Sequence, residues 1–120
     1  MQKDIRDRTY IFGIRIINFC RKLPSDRVSG AICSQLVRSG TSIGANTEEA
    51  QDAMSRADFV KTLSIALKEA RETYYWLRIL RDAKMVTGSE IEDLIDESGQ
   101  LVRILVKIVK TTKGNTDSLK

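Results

Sequence analysis

Residues 38–50, RSGTSIGANTEEA, combine the residue types that most often bind an anion or carry out acid–base chemistry. Gly40 and Gly44 lie among hydroxyl and amide side chains, and Glu48 and Glu49 follow them. A phosphate-binding loop requires a strand before its glycines and usually a lysine directly after them, and this sequence has neither. Adjacent glutamates point about 100° apart on a helix, so they make a poor catalytic pair. The segment therefore does not predict an active site.

The rest of the composition also argues against an enzyme. The chain has no histidine, so it lacks the base of Ser-His-Asp and Cys-His sites and the commonest metal ligand. Cys20 and Cys33 are too few for a zinc site of thiolates alone; their apolar surroundings indicate reduced core residues, with a disulfide as the alternative. Glu69 and Glu72 share a helix face, but pairing with Arg or Lys explains them more simply. We predict no catalytic residue, metal site or cofactor.

Length and hydropathy predict one folded domain outside the membrane. The chain has 120 residues, of which 42% are hydrophobic and 30% charged, which is typical of a globular protein. Its first residues, MQKDIRDRTYIF, carry acids and lack a small-residue cleavage site, so they do not predict a signal peptide. No apolar run approaches the length needed to span a bilayer. We therefore expect a cytoplasmic protein without membrane contact.

Four helices are predicted and no strands, because apolar residues recur at steps of three and four and never alternate over a useful length. The first helix runs from about Lys3 to Leu23 and ends before Pro24. The other three are expected to begin at serine N-caps, namely Ser25, Ser55 and Ser89.

The connections determine the architecture. Because every connection is short, consecutive helices must be antiparallel, which predicts an all-α, antiparallel up-down-up-down four-helix bundle over residues 1–112. Residues 113–120, KGNTDSLK, are expected to form a frayed polar C-terminal tail.

The two glycines of residues 38–50 fall inside the second helix. An internal glycine costs about 1 kcal/mol against alanine, so a break near Gly44 with a restart at Asn46 is one alternative. We predict instead a continuous helix, in which Gly40 and Gly44 form a shallow groove that a neighbouring helix can approach closely. A polar stripe then follows the same helix, made of Arg38, Ser42, Asn46 and Glu49.

The polar stripe lies beside the apolar residues Leu36 and Ile43. We therefore expect it to be partly buried, and buried polar groups need hydrogen-bond partners. Charged residues of the third helix are the candidates, and Glu72 is the favoured partner of Arg38.

Two segments of the chain resemble a known family. QLVRSGTSIGANTEEA and ADFVKTLSIALKEARETYYWLRIL are similar to bacterial four-helix-bundle proteins encoded in intervening sequences of 23S ribosomal RNA genes, and to accessory proteins of diversity-generating retroelements. The family run Leu–Lys–Glu–Ala–x–Glu–Thr–x–x–Trp–Leu is matched from Leu67 to Leu77, and Gly44 departs from the proline or other small residue of many relatives. The family segment Arg–x–x–x–Ser–Ile–x–x–Asn and the acids after it are matched by Arg38, Ser42, Ile43, Asn46, Glu48 and Glu49.

The resemblance implies a ring-shaped homopentamer without an established catalytic activity. Members of the family are proposed to bind nucleic acid, and the retroelement branch works with a reverse transcriptase. The resemblance does not say which branch this chain serves.

Basic residues recur in rows on three of the predicted helices, and the net charge is +4. Such rows can follow a phosphate backbone, and the alternative for each row is a solvated face that keeps the protein soluble. The rows are Arg8, Arg15 and Lys22 on the first helix, Arg71 and Arg78 on the third, and Arg103, Lys107 and Lys110 on the fourth. An exposed member of the aromatic trio 74–76 would stack on a base or pack against another subunit.

Apolar residues exceed what one four-helix core can bury, which predicts contact between subunits. The excess residues are Ile11, Ile14 and Ile17, then Ile65, Trp76 and Ile79, then Ile104 and Val106. The sequence therefore predicts a non-enzymatic oligomeric scaffold that binds RNA or DNA through its basic surface. The alternative is a protein-interaction module that docks an enzyme such as a reverse transcriptase.

Overall fold

Four α-helices account for most of residues 4–118, the part of the chain that this computed structural model describes. The described residues contain no strand, so the predicted all-α four-helix fold is confirmed. The helices are α1 (Ile5–Arg21), α2 (Arg27–Gln51), α3 (Arg56–Asp82) and α4 (Ser89–Ser118).

Side chains that accept backbone N–H groups determine where the first three helices begin. Ser55 caps α3, as predicted, by accepting the N–H of Asp58 at 3.1 Å. The cap of α2 is Asp26 rather than Ser25, because its carboxylate accepts both the N–H and the hydroxyl of Ser29. These two hydrogen bonds favour the ionised carboxylate and lower the pKa of Asp26.

The predicted end points of α1 and α4 differ from the structure. The expected start of α1 at Lys3 lies outside the described residues, and α1 ends at Arg21, short of Leu23. Ser89 is the first residue of α4 rather than its cap; Gly88 precedes it with a φ of 114°, which favours glycine.

The expected frayed tail is also wrong over most of its length. Residues 113–118 continue α4 as helix, while residues 119 and 120 lie outside the described part of the chain. Extending an existing helix requires no new nucleation, so polar residues can continue it beyond Val109, the last buried residue among those up to 114.

Contacts between neighbouring helices show that they are antiparallel. On α1 and α4, Arg8 pairs with Glu97, whereas Lys22, near the other end of α1, pairs with Glu90. On α3 and α4, Arg81 pairs with Glu92, and Tyr74 lies against Gly99. In both pairs of helices the residue number rises on one helix as it falls on the other, as an up-down-up-down bundle requires.

The core is apolar, and one buried polar contact joins α2 to α3. The hydroxyls of Ser39 and Thr73 are fully buried and lie 2.9 Å apart, and each also reaches a carbonyl of its own helix. This contact fixes the register of α2 against α3. The largest fully buried side chains are Phe12, Ile16 and Phe19 from α1, Leu36 and Ile43 from α2, Leu63, Leu77 and Leu80 from α3, and Ile91, Leu94, Leu101 and Leu105 from α4.

α2 runs unbroken through Gly40 and Gly44, and α1 lies in the groove that these glycines form. A Cβ added to Gly40 would stand 2.9 Å from Cγ2 of Ile16. A Cβ added to Gly44 would stand 3.2 Å from the carbonyl oxygen of Thr9. The predicted close approach is therefore real, and α1 is the helix that makes it.

Candidate nucleic-acid interface

The basic row on α1 is largely neutralised by α4. Arg8 donates two hydrogen bonds to the carboxylate of Glu97, at 2.6 and 3.1 Å, and a third to the side-chain oxygen of Gln100. Lys22 contacts both carboxylate oxygens of Glu90, at 2.7 and 2.8 Å. These pairs make the row a contact between helices, in which Arg8 and Lys22 each have an acidic partner. Arg15, half-buried between them, makes no hydrogen bond or ion pair with any residue in the range 4–118.

The polar stripe on α2 connects to α3 through Arg38. The guanidinium of Arg38 contacts Glu72, its predicted partner, and donates to Glu69 at 3.1 Å and to Gln35 on its own helix. Glu72 also accepts the indole N–H of Trp76 at 3.1 Å. The Arg38 side chain is 47% exposed, whereas Glu69 and Glu72 are 15% and 27% exposed, so the network is partly buried, mainly on the side of its acids. The small side chains Ser39 and Thr73 fill the interface at this level, and the long arginine reaches around its edge.

The remaining stripe residues bond within α2 or face solvent. The hydroxyl of Ser42 donates to the carbonyl of Arg38 at 2.6 Å, and the amide of Asn46 donates to the carbonyl of Ser42 at 2.9 Å. Glu49 is exposed. The four-residue spacing of the polar stripe therefore reflects hydrogen bonds from Ser42 and Asn46 to backbone carbonyls one turn earlier, rather than a row of partners on α3.

The two arginines that pair with acids should contribute differently to stability. Both side chains of the Arg8–Glu97 pair are about one-fifth exposed, at 21% and 19%, so water screens this pair less than the Arg38 network. We expect Arg8→Ala to cost about 1.5–3 kcal/mol and Arg38→Ala about 1 kcal/mol or less. Arg38→Ala would be the costlier of the two if the burial of Glu69 and Glu72, rather than the exposure of Arg38, determined the cost.

Urea denaturation of both variants at one protein concentration and low salt measures these costs, because an ionic denaturant would screen the pairs. A larger loss of unfolding free energy for Arg38→Ala would contradict the expected order. Equal losses would show that burial does not distinguish the two pairs.

The two predicted basic rows on α3 and α4 lack such acidic partners, although Arg81, also on α3, pairs with Asp82 and Glu92. Among the side chains of residues 4–114, none forms an ion pair with a residue of these rows. Tyr74 on α3 lies against Gly99 on α4, so α3 and α4 are neighbours. The two rows therefore lie on adjacent helices. We call this surface the α3–α4 basic face: Arg71, Arg78, Arg103, Lys107 and Lys110.

Aromatic residues lie within and beside the α3–α4 basic face. The guanidinium carbon of Arg78 stands 4.6 Å from the centroid of the Tyr74 ring, a cation–π contact. Tyr75 is the exposed member of the aromatic trio, with 48% of its surface accessible, and its ring packs edge-on against Trp76. The sequence predicts that one member faces outward, and the structure identifies it as Tyr75.

A second surface feature is apolar and lies between α1 and α2. This α1–α2 apolar groove has a volume of about 390 Å³, and Tyr10 and Ile14 are exposed along it. On α3, Ile65 is also exposed, whereas Ile104 and Val106 on α4 are half-buried. The predicted apolar excess is therefore concentrated on α1 and α3. The groove is lined by Thr9, Tyr10, Gly13, Ile14, Ile17, Thr41, Gly44, Ala45 and Glu48.

The two cysteines are free thiols that lie close together between α1 and α2. The thiol of Cys33 approaches the carbonyl of Cys20 at 3.9 Å. Burial, and then the neighbouring Cys33, raise the pKa of the Cys20 thiol to about 12. At neutral pH Cys20 is therefore protonated and a poor nucleophile.

Neither a metal site nor a membrane span is found in the described part of the chain. Among residues 4–114, whose side chains the structure describes, there is no group of three or more metal-ligating side chains. No helix in that range has the length and hydropathy needed to cross a bilayer.

Comparison with known proteins identifies a family. The family described as 23S rRNA-intervening sequence protein matches residues 2–107. The chain is 40% identical to a protein of unknown function from the S23 ribosomal protein family of Bacteroides thetaiotaomicron, whose crystal structure has a TM-score of 0.83 to it over 89% of this chain and 99% of the other. No curated protein matches the chain. Neither the family nor the crystal structure indicates an enzyme.

Proposed function

Because the chain belongs to the 23S rRNA-intervening sequence protein family, we propose that it is a non-enzymatic oligomeric scaffold that binds RNA or DNA through the α3–α4 basic face. One observation carries this proposal. The acids of α4 neutralise two of the three basic residues on α1, whereas five basic residues on α3 and α4 have no acidic partner among residues 4–118. Basic side chains without internal partners are the ones available to phosphates.

The dimensions of the face suit a short stretch of phosphate backbone. Arg71 and Arg78 are separated by about 10 Å along α3, as are Arg103 and Lys110 along α4. The axes of packed helices are about 8–10 Å apart, and the contacts Tyr74–Gly99 and Arg81–Glu92 place Arg71 level with Arg103, so the two rows form a strip that runs diagonally across both helices. A surface of this size contacts only a few phosphates, and one copy alone should bind weakly. Several copies joined in one assembly would bind a longer nucleic acid more tightly through avidity.

The α1–α2 apolar groove supplies the contact between copies in this proposal. Gly13, Gly44 and Ala45 make the groove concave, and two such grooves placed face to face would leave a void between them. A convex apolar surface fits better, and α3 offers one at Ile65, Trp76 and Ile79. A groove that receives a different surface of the next copy makes a head-to-tail contact, which can close into a ring. The family resemblance, rather than the geometry, suggests five copies.

We therefore expect light scattering after size-exclusion chromatography to give a multiple of the 13.5 kDa chain mass at micromolar concentration. Ile14→Glu places a charge in the groove and should lower this mass. Val28→Glu, at an exposed aliphatic residue that does not line the groove, should leave it unchanged and serves as the control.

A mass near 13.5 kDa for the unaltered protein would contradict the oligomeric scaffold. A dimer or tetramer would still agree with the burial of apolar residues between copies and would contradict only the expected number of five copies. Equal masses for the unaltered protein and the two variants would place the contact between copies elsewhere.

Fluorescence anisotropy of a labelled RNA hairpin and of a labelled DNA duplex, measured at several salt concentrations, tests the nucleic-acid part of the proposal. We expect binding at low salt that weakens steeply as salt rises. Absence of binding at low salt would contradict it and would favour a module that docks a protein partner, for which the exposed α1–α2 apolar groove is suited.

A further inference from the structure

Two thiols lie against each other across the contact between α1 and α2, and the proposed function does not use them. Cys20 is the last residue but one of α1, and Cys33 lies in the second turn of α2. Both residues are partly exposed, so a small oxidant in solution can reach the pair. Neither of them lines the α1–α2 apolar groove.

The two side chains are oriented toward each other. The thiol of Cys33 approaches the backbone carbonyl of Cys20 at 3.9 Å, so it points toward α1. Burial raises the pKa of the Cys20 thiol, and the charge of Cys33 and a hydrogen bond between the two thiols raise it further. Such effects require the two sulfur atoms to be close. A disulfide needs side chains that point at each other and Cα atoms within about 7 Å, and this arrangement provides the first condition.

The backbones of the two helices are close enough for a short cross-link. α1 lies in the groove of α2 at Gly40, which is seven residues, or about two turns, from Cys33. The end of α1 absorbs the remaining difference, because the carbonyl of Cys20 already bonds beyond the helix, where it accepts the N–H of Leu23 at 3.2 Å. The last turn of a helix also opens more readily than its middle.

The surroundings of the two thiols determine the order in which they react. Cys20 packs against the hydrophobic core and is protonated at neutral pH, so Cys33 reacts first. With a small-molecule disulfide such as oxidised glutathione, the Cys33 thiolate attacks one sulfur atom and releases the other half of the oxidant as a thiolate. The Cys20 thiolate then attacks the Cys33 sulfur and releases the second half.

The reaction is balanced without any other reactant. The two protein thiols lose two protons and two electrons, and the oxidant gains both and becomes two thiols. The second step is slowed because Cys20 must first lose its proton. It nevertheless occurs within one molecule, where the effective concentration of the attacking group is high.

We propose that Cys20 and Cys33 are a modification site, at which a small-molecule disulfide forms a reversible cross-link between α1 and α2. The cross-link closes a loop that contains residues 21–32, and it stabilises the folded chain by restricting the unfolded one. Oxidation therefore holds together the two helices that line the α1–α2 apolar groove. This inference goes beyond the proposed function and does not depend on it.

The test incubates the reduced, folded protein with oxidised glutathione at about pH 8.5, which increases the ionised fraction of Cys20. Without a reductant, the mass of the chain should fall by about 2 Da, because the disulfide lacks two hydrogen atoms. Trypsin should then give one cross-linked product, made of residues 16–21 and 28–38. Dithiothreitol should separate the two peptides.

Two serine variants test the order of the reaction. Cys20→Ser retains only Cys33 and should gain one glutathione, because no second thiol can displace it. Cys33→Ser retains only Cys20 and should gain glutathione at least about tenfold more slowly, because this thiol is partly buried and protonated. Circular dichroism checks that both variants keep the helical fold. Faster modification of Cys33→Ser than of Cys20→Ser would contradict the proposed order.

Urea denaturation of the oxidised and the reduced protein at one concentration tests the effect on stability. The midpoint should rise by at least about 0.5 M on oxidation. The double variant Cys20→Ser/Cys33→Ser, treated in the same way, should show no shift. An unchanged midpoint after the disulfide has formed would overturn the stabilising effect of the cross-link.

Three results would overturn the modification site itself. The mass of the chain could stay unchanged, or the unaltered chain could retain one glutathione, which would show that the two thiols do not meet. A doubled mass would show that the disulfide joins two copies instead. None of these measurements uses RNA or DNA, so their outcome is independent of the outcome for nucleic-acid binding.

Discussion

Replacing Arg103, Lys107 and Lys110 together with glutamine should weaken nucleic-acid binding by at least about 100-fold per chain at 0.1 M salt. Each contact with a duplex phosphate contributes about 0.9 to the dependence of log affinity on log salt, so three lost contacts should reduce the slope by about 2.7. These side chains are exposed and make no internal ion pair within residues 4–118, so their removal should leave the fold intact. Anisotropy titrations at four or more salt concentrations measure both quantities.

The matched control removes the same number of charges from α1. Replacement of Arg8, Arg15 and Lys22 with glutamine should change the slope little, because Glu97 and Glu90 already neutralise two of the three. From the sequence alone, this row is an equally good candidate for contacts with phosphate. A larger loss of slope for the α1 triple than for the α4 triple would contradict the proposed location of the binding surface.

The second large effect concerns the close packing of α1 on α2. Gly40→Val should destabilise the protein by about 3 kcal/mol or more, because overpacking a core without space forces side chains and backbone to move. The first added carbon would already stand 2.9 Å from Ile16, which is fully buried and cannot move toward solvent. Gly30→Val, on the same helix, places its Cβ where no atom lies within 4 Å and should leave stability within about 0.5 kcal/mol.

Chemical denaturation of the two valine variants at one protein concentration provides the comparison, because the proposed self-association would make the unfolding free energy depend on concentration. If Gly40→Val and Gly30→Val unfold at the same denaturant concentration, α1 does not approach α2 as closely as described. Gly40→Ala should also be less stable than Gly30→Ala. Their difference in unfolding free energy should be smaller than that of the valine variants, because alanine adds only the first carbon.

The sequence predicted the elements whose causes are local. Apolar spacing identified four helices, the capping pattern identified Ser55, and the regular polar stripe on α2 indicated the contact of Arg38 with Glu72. Chain ends and boundaries were less accurate, because Asp26 and Ser25 are both good caps and only the final geometry selects one.

The partners of the α1 row illustrate what the sequence did not reveal. Arg8 and Glu97 are 89 residues apart, so no local pattern links them. A signal did exist: Glu90 and Glu97, seven residues apart, share one face of α4, as the basic residues of the row share one face of α1. Pairing the basic residues of α1 with the acids of α4 requires knowing that these two helices are neighbours, and this follows only from the closed bundle. The exposure of Arg38 likewise depends on the width of the α2–α3 interface.

Mass-spectrometric footprinting of lysines with and without RNA tests most directly whether nucleic acid occupies the α3–α4 basic face. Lys107 and Lys110 are exposed on this face, whereas Lys22, also exposed, lies on α1. Acetylation of Lys107 and Lys110 should slow at least about threefold when RNA is bound, if each lysine holds a phosphate. Acetylation of Lys22 should not change. Protection of Lys22 with no change at Lys107 and Lys110 would contradict the account.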